Sequence, residues 1–159
     1  MRLNPTFARF LAIALISFSS LPAFASPRSQ VSHVRHLQRA SSVMTPLQLV
    51  AALKTKKPPI PVQVGFEFLY KQGHIPGAIY VGEGRDPDTE VKLLRRLKTL
   101  PRDRAIVLYC GCCPWSDCPN IHPAFDAART LKGRTVKMLE IPHNFDKDWI
   151  QKGYPITTH

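Results

Sequence analysis

Short apolar runs alternate along the chain with longer segments in which apolar residues recur every three or four positions. The runs are rich in β-branched residues and predict four buried strands, at residues 60–64, 79–81, 105–109 and 136–139. The periodic segments between these runs predict helices. Strands that alternate with helices favour a mostly parallel sheet covered on both faces, so we expect an α/β fold.

Capping residues and prolines mark where the helices begin. Thr45 followed by Pro46 predicts an N-cap and a first helical position, and the Asp-Pro pair at 86–87 marks a second start in the same way. Two further helices are predicted at residues 120–131 and 146–152. The chain has 15 prolines against 8 glycines, which indicates short elements separated by stiff turns.

Residues 1–25 have the pattern of a cleavable signal peptide. A positive start with Arg2 and Arg9 precedes an uncharged apolar run, and the Ala-Phe-Ala sequence at 23–25 has small residues where a signal peptidase reads the chain. An uncleaved membrane anchor is the alternative. The apolar run is shorter than the roughly 20 residues that a membrane-spanning helix needs, which favours cleavage.

Cleavage after Ala25 gives the expected organisation of the mature chain. Residues 26–43 are polar and basic without clear periodicity and predict a flexible leader, and residues 44–159 form the folded domain. The expected location is periplasmic or secreted, with no stable membrane span after cleavage.

The chain is strongly basic, with 22 Lys and Arg residues against 11 Asp and Glu residues and a formal net charge of +11. Such a charge suits nucleic acid, a membrane surface or small anions, and export argues against nucleic acid as a partner. Four basic residues late in the chain form either a solvated surface or a basic rim that concentrates small anions: Arg129, Lys132, Arg134 and Lys137.

All four cysteines lie between Cys110 and Cys118, so they cannot form a disulfide framework that spans the fold. Cys110 directly follows the predicted strand at 105–109, and ligands of parallel sheets bind beyond the carboxyl ends of strands. Successive loop amides and the next helix N-terminus would form an anion site there and favour a reactive thiolate. The alternative is a buried structural cysteine.

Three segments resemble the rhodanese-like domains, which are single-domain sulfurtransferases with an α/β fold. Residues 73–78 (GHIPGA) match one family signature, and Cys110 follows a strand where the family has its persulfide-forming cysteine. Residues 149–156 are similar to the family's closing tryptophan and Gly-Tyr-Pro. The resemblance spans residues 45–156 and implies a rhodanese-like fold.

The resemblance also implies an activity that needs no cofactor. Cys110 would take a sulfane sulfur from a small anion such as thiosulfate, hold it as a persulfide and yield it to a thiol acceptor. The loop residues expected around the persulfide are Gly111, Trp115, Ser116, Asp117 and Asn120. Ordinary roles are open for most of them: packing for Trp115, turn or capping hydrogen bonds for Ser116 and Asp117, and the N-cap of the next helix for Asn120.

The other three cysteines admit three interpretations. In the first, Cys112, Cys113 or Cys118 resolves the persulfide or a sulfenate on Cys110 by forming a disulfide. In the second, the cysteines bind zinc or Cu(I). In the third, Cys112 or Cys113 closes the loop by a disulfide with Cys118.

These interpretations leave three functional classes open. They are a sulfurtransferase, a metal-binding module with His122 or His143 as substitute ligands, and a non-catalytic interaction module on a rhodanese fold. The last is motivated by residues 63–65, where Gln-Val-Gly replaces the family's Asp-x-Arg.

Overall fold

The computed structural model describes residues 42–158, and a sheet of five strands lies at its centre. The strands are β1 (Val43–Met44), β2 (Ile60–Gln63), β3 (Ile79–Tyr80), β4 (Ile106–Tyr109) and β5 (Val136–Leu139). They are ordered β1-β5-β4-β2-β3, and every neighbouring pair is parallel. The predicted α/β fold with a parallel sheet is confirmed, and β4 is its central strand.

The helices are α1 (Pro46–Leu53), α2 (Glu67–Gln72), α3 (Pro87–Thr99) and α4 (Ile121–Ala128), with a 3-10 turn at Trp115–Asp117 and a π-helical segment at Asp146–Ile150. The starts of α1 and α3 are those predicted. The Thr45 hydroxyl accepts the amide N–H of Gln48, whose side chain accepts the amide of Thr45 in return. The Asp86 carboxylate accepts the amide of Asp88. Each contact satisfies an N–H group that has no partner within its helix.

Side chains of β4 alternate between two apolar clusters, one on each face of the sheet. Ile106 and Leu108 pack in the cluster that includes buried residues of α3 and α4, and Cys110 continues this row. Val107 and Tyr109 pack in the other cluster, with Leu49 of α1 and Trp149. Complete burial of such side chains contributes about 1.5–3 kcal/mol each. Packing on both faces therefore fixes the point at which the chain leaves the sheet.

Two elements were not predicted from the sequence. The strand β1 has two residues and is defined by pairing with β5, with Val43 opposite Met138, so no local pattern marks it. The helix α2 follows Phe66, which makes no side-chain capping bond, and none of its residues is buried. Both elements depend on tertiary contacts more than on local sequence signals.

Two predicted helices end earlier than expected. The helix α4 ends at Ala128, because the Thr130 and Leu131 amides bond to carbonyls three residues back and the Thr130 hydroxyl also takes the Ala127 carbonyl. The last helix covers only Asp146–Ile150 and is π-helical, with the Gln151 amide bonded to the Asp146 carbonyl five residues back. A prediction from periodicity assumes hydrogen bonds to the carbonyl four residues back. The bonds of the Thr130 and Leu131 amides reach three residues back and that of the Gln151 amide reaches five, so both helices end before the predicted residue.

The predicted signal peptide at residues 1–25 and most of the predicted leader at 26–43 lie outside the described residues. The last position assigned to the leader, Val43, already pairs in β1. Within residues 42–158, no helix is both long enough and apolar enough to cross a bilayer.

Candidate functional site

Cys110 is the first residue after the central strand, at the carboxyl edge of the sheet. It is 4% exposed, and the preceding Tyr109 is paired in register with Gln63 of β2. Gly111 then turns the chain with a φ of 93°, a conformation that favours glycine. A hydrogen bond of 3.0 Å from the Phe145 amide to the Gly111 carbonyl holds this turn against the π-helical segment.

The loop after Cys110 returns to the same place and brings four thiols together. The Cys110 and Cys112 sulfurs are 3.2 Å apart, and those of Cys112 and Cys113 are 3.1 Å apart. The sulfurs of Cys110, Cys112 and Cys118 lie within 4.8 Å of one another, and we call these three residues the trithiol cluster. All four cysteines are free thiols, so the loop-closing disulfide considered above is not formed here.

The contacts of the loop stabilise negative charge mainly on Cys118. The hydrogen bond with the Cys110 side chain, together with those of the Asn120 amide, the Cys113 side chain and the Ile121 amide, lowers the pKa of Cys118 to about 5 against the opposing effect of burial. The same contact with Cys118, followed by burial, raises the pKa of Cys110. The Cys112 amide opposes this rise but does not reverse it.

Loop amides and the start of the next helix were expected around the cysteine sulfur. The amide of Cys112 contacts Cys110, and the amides of Asn120 and Ile121 contact Cys118. These contacts favour negative charge on Cys118 over Cys110.

Asn120 connects the cluster to the rest of the fold. It is 1% exposed, its Nδ2 lies 3.6 Å from the Cys110 Sγ, and its Oδ1 accepts the amide of Arg85 at 3.2 Å. It stands at the N-cap position of α4, as expected, but its side chain makes no capping bond. Its polar atoms instead orient the Cys110 sulfur and the segment after β3.

The other loop residues predicted around the sulfur lie further out. The Trp115 ring packs against the first apolar cluster, and its amide donates to the Ile141 carbonyl. Ser116 and Asp117 are both exposed, and the hydroxyl of Ser116 donates to the Asp117 carboxylate at 2.9 Å. These positions match the ordinary packing and turn roles considered for the three residues.

The two histidines considered as substitute metal ligands are outside the trithiol cluster. The His122 ring nitrogen is 3.0 Å from the Ser116 carbonyl, and the His143 ring nitrogen is 3.0 Å from the Asp148 carboxylate. Any soft metal at this site would therefore be held by thiolate sulfur.

A cavity of about 540 Å³ opens beside the cysteines, between α2 and the π-helical segment. We call it the cysteine cleft. Cys110, Gly111 and Cys112 form part of its wall, and most of the remaining wall is apolar. The apolar lining residues are Phe66, Phe68, Leu69, Phe145 and Ile150. The volume is in the range typical of small-molecule sites.

Two important residues at this site were missed in the sequence. Gly65 leaves room for the Cys110 sulfur, since a Cβ atom there would lie 2.8 Å from the Cys110 Sγ. Gln63 lines the cysteine cleft at 2% exposure, and its Oε1 accepts no hydrogen bond from any described residue. The available signal was the replacement of Asp-x-Arg by Gln-Val-Gly at residues 63–65, which from the sequence indicated only that an acidic and a basic residue are absent.

The basic rim considered from the sequence is not at the cleft. The Arg134 guanidinium bonds to the Leu100 and Pro101 carbonyls, before β4 and thus at the opposite edge of the sheet. Arg129 pairs with Asp126 on the surface. None of the four residues named above lines the cysteine cleft.

Comparisons with known proteins agree with this architecture. A family model, the rhodanese-like domain, matches residues 45–139. The chain is similar to the structure of the BH2092 protein from Bacillus halodurans, with a TM-score of 0.60, 21% identity and coverage of 82% of this chain and 86% of that one. A search of curated proteins finds no match.

Two solution structures are similar as well. The polysulfide-sulfur transferase homodimer from Wolinella succinogenes has a TM-score of 0.53 at 12% identity, covering 83% of this chain and 90% of that one. Protein hp1203 from Helicobacter pylori has a TM-score of 0.51 at 18% identity, covering 76% and 92%. At these identities the structures support the fold, and the family model covers more than half of the sequence. The chain therefore belongs to the rhodanese-like domain family.

Proposed function

We propose that the protein is a sulfurtransferase or sulfane-sulfur carrier that holds sulfur as a persulfide on Cys110. The observation that carries this proposal is the position of Cys110. It follows the central strand and borders a cleft of about 540 Å³, and the side-chain Nδ2 of Asn120 lies 3.6 Å from its sulfur. The pKa of the neighbouring Cys118 is lowered by its hydrogen bond with Cys110, and this contact gives the Cys110 proton a route to the Cys118 sulfur as Cys110 attacks. Family membership and the polysulfide-sulfur transferase structure are in agreement with this proposal.

In the loading step, the Cys110 proton moves to the Cys118 thiolate as the Cys110 sulfur attacks the outer sulfur of a donor such as thiosulfate. A new bond forms between Cys110 Sγ and that sulfur, and the S–S bond of thiosulfate breaks. The bonding electron pair leaves with sulfite, and Cys110 becomes a persulfide. Cys118 thus supplies the base that the buried Cys110 thiol needs.

The outer sulfur of the persulfide can leave Cys110 by two reactions. An external thiolate can attack the outer sulfur, which returns the electron pair to Cys110 and releases a new persulfide. The Cys112 thiolate can instead attack the Cys110 Sγ at 3.2 Å, which forms a disulfide and releases the outer sulfur as hydrosulfide. A dithiol reductant is then needed to restore both thiols. Cys112 suits this resolving role because it also borders the cleft.

Peptide mass spectrometry after incubation with excess thiosulfate tests the assignment. We expect the mass of one added sulfur atom on the peptide that contains Cys110, sulfite as co-product, and no addition in Cys110→Ser. The matched control is Cys113→Ser, since Cys113 lies outside the trithiol cluster. Equal sulfur uptake by Cys110→Ser would reject the assignment, and a folded protein with neither sulfur nor metal would favour an interaction module.

A second function is supported by one observation, the three sulfurs within 4.8 Å of one another. Three thiolates converging on one point suit a soft ion such as Cu(I) or zinc. Native mass spectrometry with each metal tests this function. We expect one ion per chain if the site binds metal, and we expect Cys112→Ser to lose it and Cys113→Ser to keep it. Metal-free protein at excess metal would exclude this function.

We also propose that the protein is exported to the periplasm or the exterior, with cleavage after Ala25. The support is the sequence pattern of residues 1–25. Mass spectrometry of the protein from its own cells should give a chain that begins at Ser26. Recovery of a chain that retains residues 1–25 would contradict the proposal.

A further inference from the structure

The walls of the cysteine cleft are suited to an apolar ligand. Phe66, Phe68 and Leu69 lie on the side of α2, and Phe145 and Ile150 face them from the π-helical segment. Phe68 and Ile150 are 57% and 38% exposed, so apolar surface continues to the mouth of the cleft. Covering this surface with an apolar body contributes about 25 cal/mol per Å² buried.

The charges around the cleft disfavour an organic ligand that carries a negative charge on its body. Asp146 lines the cleft, and no Lys, Arg or His lines it within the described part of the chain. The Arg85 guanidinium lies 5.9 Å from the centre of the Phe66 ring, and it pairs with Glu83 at 2.9 Å. An organic ligand whose charged group lies between the apolar walls would lose hydration and meet a carboxylate.

Gln63 contributes an unpaired polar atom to the wall of the cysteine cleft. Its Nε2 is 3.5 Å from the Phe66 carbonyl, which assigns the orientation of the amide, because the flipped form would bring two oxygens together. Its Oε1 is buried and accepts no hydrogen bond from residues 42–158. An unpaired acceptor next to the cysteines calls for a ligand with a hydrogen-bond donor, such as an S–H or O–H group.

We infer that the sulfur acceptor of the cysteine cleft is an uncharged organic thiol with an apolar body, which the site selects over thiols that carry a negative charge. This inference rests on the proposed function of Cys110. The acceptor binds as the neutral thiol and loses its proton to water as its sulfur attacks the outer sulfur of the persulfide, and the bond to Cys110 Sγ breaks with return of the electron pair. The acceptor leaves as an organic persulfide, without any added oxidant.

Two thiols of equal length and nearly equal acidity test the selection: 4-methylbenzyl mercaptan and 4-(mercaptomethyl)benzoate. Protein loaded with sulfur on Cys110 is mixed with each, and loss of the added sulfur is followed by mass spectrometry. Rates are divided by those with free cysteine persulfide. We expect the neutral thiol to unload the protein about tenfold faster, which corresponds to about 1.4 kcal/mol. Equal corrected rates would overturn the inference.

Variants locate the source of the selection. We expect Asp146→Asn to reduce the preference about threefold, as expected for a charge several ångströms away in a wet site. Glu90→Gln removes the same charge from an exposed position on α3 and should leave the preference unchanged. An equal effect of both variants would contradict selection by the cleft.

A binding experiment separates this inference from the proposed function. The matched alcohols 4-methylbenzyl alcohol and 4-(hydroxymethyl)benzoate carry no sulfur, so their binding does not depend on a persulfide. We expect only the neutral alcohol to shift the amide resonances of Gly73 and Gly111, which line the cleft. If Cys110 takes up no sulfur but this selectivity holds, the proposed function fails alone. If the alcohols bind equally, the inference fails whatever the loading result.

Discussion

A Cβ atom at Gly65 would lie 2.8 Å from both the sulfur and the carbonyl oxygen of Cys110. Gly65 follows β2, next to the strand that ends at Cys110, so the close approach is set by the parallel pairing of β2 with β4. The only side chain that fits between these two segments is a hydrogen atom. Gly65 therefore helps to hold the Cys110 sulfur where Asn120 reaches it.

Gly65→Ala should both destabilise the protein and displace the Cys110 sulfur. Overpacking at a buried site costs about 1–3 kcal/mol of unfolding free energy, measurable by denaturant titration. Sulfur uptake at Cys110 should fall as well. Gly73→Ala is the control, because its nearest contact would be an ordinary 3.7 Å to Ile156 and its backbone is extended. Equal stability of the two variants would argue against a steric role for Gly65.

The thiolate on Cys118 predicts a specific pH dependence. Because the pKa of Cys118 is lowered to about 5 by the hydrogen bond with Cys110, against burial, the thiolate persists down to that pH. The stabilisation from this charge is fully present above the ordinary pKa of cysteine and disappears as the pH falls through about 5. Ultraviolet absorbance of thiolate should show a step there.

The step near pH 5 should be absent in Cys118→Ser and retained in Cys113→Ser. Loading of Cys110 should slow in Cys118→Ser at neutral pH, since the base for the Cys110 proton has gone and burial still disfavours a Cys110 thiolate. A step that survives in Cys118→Ser would show that another cysteine holds the charge.

Asn120 allows stability and sulfur handling to be separated. Asn120→Asp keeps an oxygen for the Arg85 amide but places an anion next to the Cys110 sulfur, so the fold should remain while sulfur uptake falls about tenfold. Asn120→Leu removes the acceptor of the part-buried Arg85 amide and should cost about 1 kcal/mol of unfolding free energy. Uptake at the normal rate by Asn120→Asp would exclude a role for the Cys110 contact.

Cys112 and Cys113 should differ in their effect on the stored sulfur. The Cys112 sulfur is 3.2 Å from that of Cys110, whereas the Cys113 side chain contacts Cys112 and Cys118. In Cys112→Ser, the loaded persulfide should last longer and release of hydrogen sulfide should drop by about tenfold or more. Cys113→Ser should release it at the wild-type rate. The reverse order would assign the resolving role to Cys113.

The sequence was sufficient for the elements that have strong local signals. The capped starts of α1 and α3 and the apolar runs of β2, β4 and β5 were predicted within a residue or two, because capping and side-chain alternation act over a few neighbouring positions. The position of Cys110 at the end of the central strand followed from the same patterns. The short strand β1 has no such signal and depends on pairing with the distant β5, and the exposed helix α2 has no side-chain cap at its start.

The sequence by itself determined the parallel α/β architecture and the gathering of four thiols at the end of β4. Only the tertiary structure brought the Cys110 side chain and the amides of Asn120 and Ile121 to the Cys118 sulfur, where they lower its pKa. It also decided that the cleft is apolar, because α2 and the π-helical segment meet there from distant parts of the chain. The physical reason is that electrostatic and steric interactions depend on distances in space, and sequence separation sets those distances only for near neighbours.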